Sequence, residues 1–124
     1  MRRKLFRAWV LLLGLMPILL VVGCGDGMRT VDVADVTKPT TIVLKKETGQ
    51  GHIFALTIEG AGRIDGSAKI SMLTNSSAYQ TETLSGNVTF RWEGDWYSDD
   101  IKVRYTPATV SGGELRLRYR FADL

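Results

Sequence analysis

From residue 40 onward, apolar and polar side chains alternate in short runs, and no useful stretch carries the spacing of an amphipathic helix. A period of two sends successive side chains to opposite faces of an extended strand, so the chain is committed to strands with one buried face. Residues 40–46 place Ile42 and Leu44 on one face, and residues 52–59 group Phe54, Leu56 and Ile58. Residues 63–73 align Ile64, Ala68, Ile70 and Met72, with Gly66 as a candidate bulge. Residues 78–84 are more polar and suit an edge strand. Gly60-Ala61-Gly62, Asn75-Ser76-Ser77 and Ser85-Gly86-Asn87 supply turns between these runs.

The last third is the clearest. Val88, Phe90 and Trp92 alternate with Thr89, Arg91 and Glu93, and Ile101, Val103 and Tyr105 alternate with Lys102 and Arg104. Leu115, Leu117, Tyr119 and Phe121 alternate with Glu114, Arg116, Arg118 and Arg120. Joined by residues 94–100 and 107–113, these three runs read as an antiparallel meander. The expected fold is all-β: a small antiparallel β-sandwich or partly closed barrel of about seven or eight strands over residues 40–124. A membrane barrel fits less well, because the polar faces carry too many charges for a narrow lumen.

The start of the chain follows different rules. Arg2, Arg3, Lys4 and Arg7 precede a charge-free run from Ala8 to Val22, which is the layout of a secretory signal. The formal net charge of +3 is owed to this segment; without residues 1–23 the balance is twelve basic against thirteen acidic residues. A nucleic-acid partner argued from charge alone is therefore unsupported, and none is expected. The run ends in Leu20-Val21-Val22-Gly23-Cys24, which resembles the lipobox of bacterial lipoprotein precursors. The resemblance covers residues 1–24 only. It implies cleavage after Gly23, a diacylglyceryl group on the Cys24 sulfur and acylation, such as palmitate, of the new amino terminus. It also implies a place in the cell envelope, and Gly25 at the next position favours the outer membrane facing the periplasm over the inner membrane. Residues 24–39, with glycines, scattered acids and Pro39, read as the lipidated cysteine and a tether, with a possible short strand at residues 30–36.

Reactive groups are few. Cys24 is the only cysteine, so no disulfide forms within the mature chain, and His52 is the only histidine. A Cys-His pair, a His-rich zinc site and a zinc-protease helix motif are thereby excluded within one chain. His52 opens a strand and reads as a strand-end residue without a catalytic task. No cofactor is expected. Glu93, Asp95, Asp99 and Asp100 crowd one expected hairpin tip and form the one candidate oxygen-rich site for Ca²⁺, though their spacing departs from the EF-hand loop.

Two further groups suggest binding. Trp96 and Tyr97 follow Trp92 closely, and aromatic faces stack on sugars or insert into a partner. The meander would also bring Arg91, Lys102, Arg104, Arg116, Arg118 and Arg120 to one sheet face, suited to an anionic envelope component. The function these features imply is a lipid-anchored envelope protein whose β domain binds or scaffolds an envelope partner and does not catalyse. The alternatives are a small hydrolase or calcium-binding module using the acids of residues 93–100, or a carrier of an apolar ligand.

Overall fold

The computed structural model describes residues 27–75 and 77–124; the expected signal peptide, Cys24 and Ser76 lie outside the described residues. Five strands follow in order: β1 (Arg29–Asp32), β2 (Thr40–Lys45), β3 (Ile53–Thr74), β4 (Ser77–Asp95) and β5 (Asp100–Asp123). All pair antiparallel in one open sheet of order β1-β5-β3-β4, and β2 also pairs with β5, beyond β1 along the same edge.

The alternation read from the sequence sets which face is buried. Leu56, Ile58, Ile64, Ala68, Ile70 and Met72 of β3 are buried, as are Leu84, Val88 and Trp92 of β4. On β5 the buried set is Ile101, Val103, Tyr105, Leu115, Leu117, Tyr119 and Phe121. One face of the sheet thus stays interior over most of its length, except along residues 77–83 of β4, none of which is buried, and all of the buried side chains named belong to one core. No helix among the described residues covers that face. The sheet covers it by bending double, so residues 53–63, 88–95 and 114–123 with β1 form one layer, and residues 68–74, 77–84 and 100–106 with β2 form the other. The result is a small β-sandwich.

The seven or eight expected strands are therefore five, because three expected turns are bends inside continuous strands. β3 keeps partners on both sides through residues 60–64 and past a register shift between Ile64 and Ala68. At the bend the neighbouring backbones come too close for side chains. A Cβ at Gly66, where φ is +132°, would lie 1.7 Å from the Thr109 carbonyl oxygen; one at Gly113, where φ is +129°, would lie 2.0 Å from that of Arg63. Glycine is the residue that permits both this conformation and this approach.

The expected meander is also corrected. β3 lies between β4 and β5, and residues 101–105 and 115–121 are two halves of one strand. Alternation reports faces and not neighbours, so it could not distinguish these arrangements.

Residues 29–38, within the expected tether and overlapping its short strand at residues 30–36, pack onto the domain. β1 pairs with residues 116–119 of β5, Val33 N donates to Leu115 O at 2.9 Å, and Val33 and Val36 are buried. The buried Tyr105 hydroxyl donates to Val36 O at 2.7 Å, and burial raises its pKa. Asp35 closes the turn by accepting from Thr37 Oγ1 at 2.6 Å and Thr37 N at 2.9 Å.

Replacing Gly66 or Gly113 by Ala is expected to cost about 2–3 kcal/mol. Gly86→Ala, at φ +65° but with open space around it, should cost only about 1 kcal/mol. Urea unfolding measures both.

Acid sensitivity follows from carboxylates held below their ordinary range, Asp123 and Asp35 among them. The bond from Gly51 N at 2.7 Å, then that from Gln50 Nε2 at 3.3 Å, holds Asp123 below the usual carboxylate range; the Thr37 hydroxyl and amide do the same for Asp35. A carboxyl with a lowered folded pKa stabilises the fold above its unfolded value, and that contribution is lost as pH falls through the folded value. The melting temperature should therefore fall as pH drops below about 4, and less steeply in Asp123→Asn.

Candidate functional site

Both free ends of the bent sheet lie opposite the bend. At this open end stand the start of β3, the end of β4, the start and end of β5, the end of β2 and the start of β1. Arg29 Nη1 donates to Lys45 O at 3.3 Å, Lys46 N to Asp99 O at 2.9 Å and Trp96 N to Phe54 O at 3.2 Å, tying these termini together.

Three rings meet here edge to face: Trp92 with Tyr79 at 5.7 Å, Trp92 with Trp96 at 6.3 Å and Tyr79 with Trp96 at 6.3 Å between centroids. Trp92 is buried, as its alternation predicts. Trp96 is half-buried and its Nε1 donates to Asp100 O at 3.0 Å, so its orientation is fixed. Tyr97, beside it, is 75% exposed and presents a free face.

A groove of about 650 Å³ runs along this cluster, lined by Tyr79, Trp96 and Tyr97 together with Asn75, Asp95, Ser98, Asp100 and Lys102, over a floor that includes Leu73 and Ile101. The combination offers ring faces for apolar or cationic surfaces and an amide, a hydroxyl and charges of both signs for polar groups.

Tyr79 is the member that alternation misses. The register steps from Met72 opposite Gln80 to Leu73 opposite Ala78, leaving Tyr79 as the extra residue of a bulge. A bulge re-aims its side chain, and this one meets Trp92 and Trp96 instead of following the strand's two-residue period.

The basic residues stand elsewhere. Arg91, Arg116, Arg118 and Arg120 project from the outer surface of one layer, and Lys102 and Arg104 from the other, because the sheet bends between the two halves of β5. The single basic face expected from a meander is thus divided. On the first layer acids interleave: Glu59 sits between Arg118 and Arg91 in one row across three strands. It pairs with Arg91 and lies 3.5 Å from Arg118 Nη1. Arg91 also reaches Glu93 at 3.4 Å, and Arg116 holds Asp32 at 2.8 Å, lowering the pKa of that carboxyl. These three acids offset three of the four arginines.

The four acids proposed for calcium do not converge either. Glu93 is engaged by Arg91 and by Thr57 Oγ1 at 3.5 Å, Asp99 pairs with Lys46 at 3.3 Å, and Asp95 and Asp100 line the aromatic groove. Residues 96–99 join strands that are not neighbours, so there is no hairpin tip to gather the acids. Among the described residues, no three His, Cys, Asp or Glu side chains are grouped to hold a metal ion. His52 is exposed ahead of β3, and its carbonyl accepts from Leu124 N at 3.2 Å.

No family model and no curated protein matches this chain. Among solved structures it is similar to a carbohydrate-binding module of type CBM4, at 16% identity over 75% of this chain and 68% of that one, with a TM-score of 0.39. It is also similar to PirA, at 10% identity over 82% and 99% of the two chains with a TM-score of 0.42. The coat protein of tobacco streak virus shares 9% identity over 83% and 93%, with a TM-score of 0.39. These likenesses are of strand architecture.

The Glu59 ladder yields a stability prediction. Glu59→Gln removes one half-exposed acid between two arginines and should cost no more than about 1 kcal/mol, with the cost shrinking as salt rises. Thermal melting at low and high salt checks this.

Proposed function

We propose that this chain is a lipid-anchored bacterial envelope protein whose β domain is a non-catalytic binding module, and that its binding site is the aromatic groove at the open end. The anchor is Cys24, supported by the cationic start, the apolar run and the lipobox-like ending of residues 1–24. The observation that carries the binding site is the placement of Tyr79, Trp96 and Tyr97 around a groove that also holds Asn75, Asp95, Asp100 and Lys102.

A ring held by packing costs little further entropy when a ligand stacks on it, and Trp96 is held by both its edge contacts and its hydrogen bond. The polar groups at the rim then select what lies against the rings. A catalytic reading would require a base and a nucleophile within reach of each other. The one histidine stands outside this groove, and of the acids of residues 93–100 Glu93 is held by Arg91 and Asp99 by Lys46, leaving Asp95 and Asp100 in the groove without a histidine beside them.

Changing Cys24 to Ser should abolish incorporation of labelled fatty acid and leave a precursor that retains residues 1–23. Normal attachment of the wild-type chain without an acyl label would contradict the anchor. For the groove, the double change Tyr79→Ala and Tyr97→Ala should reduce retention of envelope components by immobilised mature protein about tenfold, while urea unfolding stays a single cooperative transition with an unchanged slope. Unchanged retention would overturn the site.

A further inference from the structure

The exposed large apolar side chains among the described residues are Val43, Phe54, Tyr79, Tyr97 and Leu124. All of them fall at the open end: Val43 two residues from the end of β2, Phe54 and Tyr79 near the starts of β3 and β4, Tyr97 between β4 and β5, and Leu124 just after β5. None lies on the bend.

The same end receives the chain from Cys24. Arg29 begins β1 there, and the five residues from Cys24 to Arg29 reach at most about 18 Å when fully extended. The bend is farther away, since residues 87–95 of β4 alone span about 26 Å at ~3.3 Å per residue. An acyl group in a bilayer therefore holds the open end close to the headgroups.

We propose that the open end rests on the membrane that holds Cys24, and that the aromatic groove takes a zwitterionic phospholipid headgroup. This rests on the anchoring and groove readings above and names the groove's ligand. Tyrosine and tryptophan settle at the headgroup level of a bilayer, where one side of the ring is apolar and the other wet. The charges specify the kind of headgroup. Arg29, Lys45, Lys46, Lys102 and Arg120 at this end are offset by Glu47, Asp95, Asp99, Asp100 and Asp123, so there is no net attraction for an anionic surface.

Inside the groove the same balance recurs. The Asp95 and Asp100 carboxylates and the ring faces suit an ammonium group, and Lys102 suits the phosphate it is joined to.

The test uses the acylated mature protein in vesicles of phosphatidylethanolamine and phosphatidylglycerol containing a lipid with a nitroxide on its headgroup. A fluorophore is attached at Thr48→Cys, in the β2–β3 connection at the open end and outside the groove, or at Asn87→Cys, at the bend; both residues are exposed. Quenching at residue 48 should exceed that at residue 87 at least about threefold. Adding Tyr97→Ala to the residue 48 protein should cut its quenching about twofold while the protein stays on the vesicles.

Equal quenching at the two sites, with the acyl mass present on Cys24, overturns the docking and leaves the anchor standing. A mature chain whose mass carries no acyl group overturns the anchor and the docking with it. Quenching at residue 48 that is unchanged by replacing phosphatidylethanolamine with phosphatidylglycerol overturns the zwitterionic headgroup as the ligand.

Discussion

The structure depends on one constraint: a sheet with a single apolar face, which no helix among the described residues covers, must cover that face with itself. Fully buried side chains such as Leu56, Ile58, Ile70, Met72 and Tyr105 are each worth about 1.5–3 kcal/mol only if something excludes water from them. In this chain that something is the other half of the same strands. Ile58 and Ile70 belong to one strand, yet they stand in different layers of one core.

This arrangement places its cost at the bend and its freedom at the open end. Glycines at residues 66 and 113 let adjacent backbones approach where no side chain fits. Most pairing is continuous through the bend, so the far end holds the chain's entry, its connections and its exposed aromatic residues. The groove follows from this topology. It forms where the β3–β4 turn, the β4–β5 connection and the start of β5 meet.

Much of the fold was legible in the alternation of residues 88–121, because strand periodicity survives any pairing scheme. It named Trp92, Val103, Leu117 and their neighbours as core without knowledge of their partners. Neighbour relations were not legible, since a glycine-rich stretch looks the same whether it reverses a strand or bends it. That ambiguity turned five strands into seven or eight and gathered Lys102 and Arg104 with Arg118. Of the groove, Trp96 and Tyr97 stood out as an aromatic pair. Tyr79 did not, because a bulge breaks the very pattern used to place it. The acids beside the arginines were hidden for a related reason: Glu59 and Asp32 come from strands distant in sequence.

Native-state hydrogen exchange tests the self-covering sheet most directly, because it reports how each backbone segment opens. If the two layers form one core, the amides of Ile58 and Ile70 exchange only through global unfolding, with equal free energies and equal dependence on denaturant. Exchange of the Ile70 half at a free energy lower by about 2 kcal/mol or more, with the Ile58 half still protected, would contradict the account.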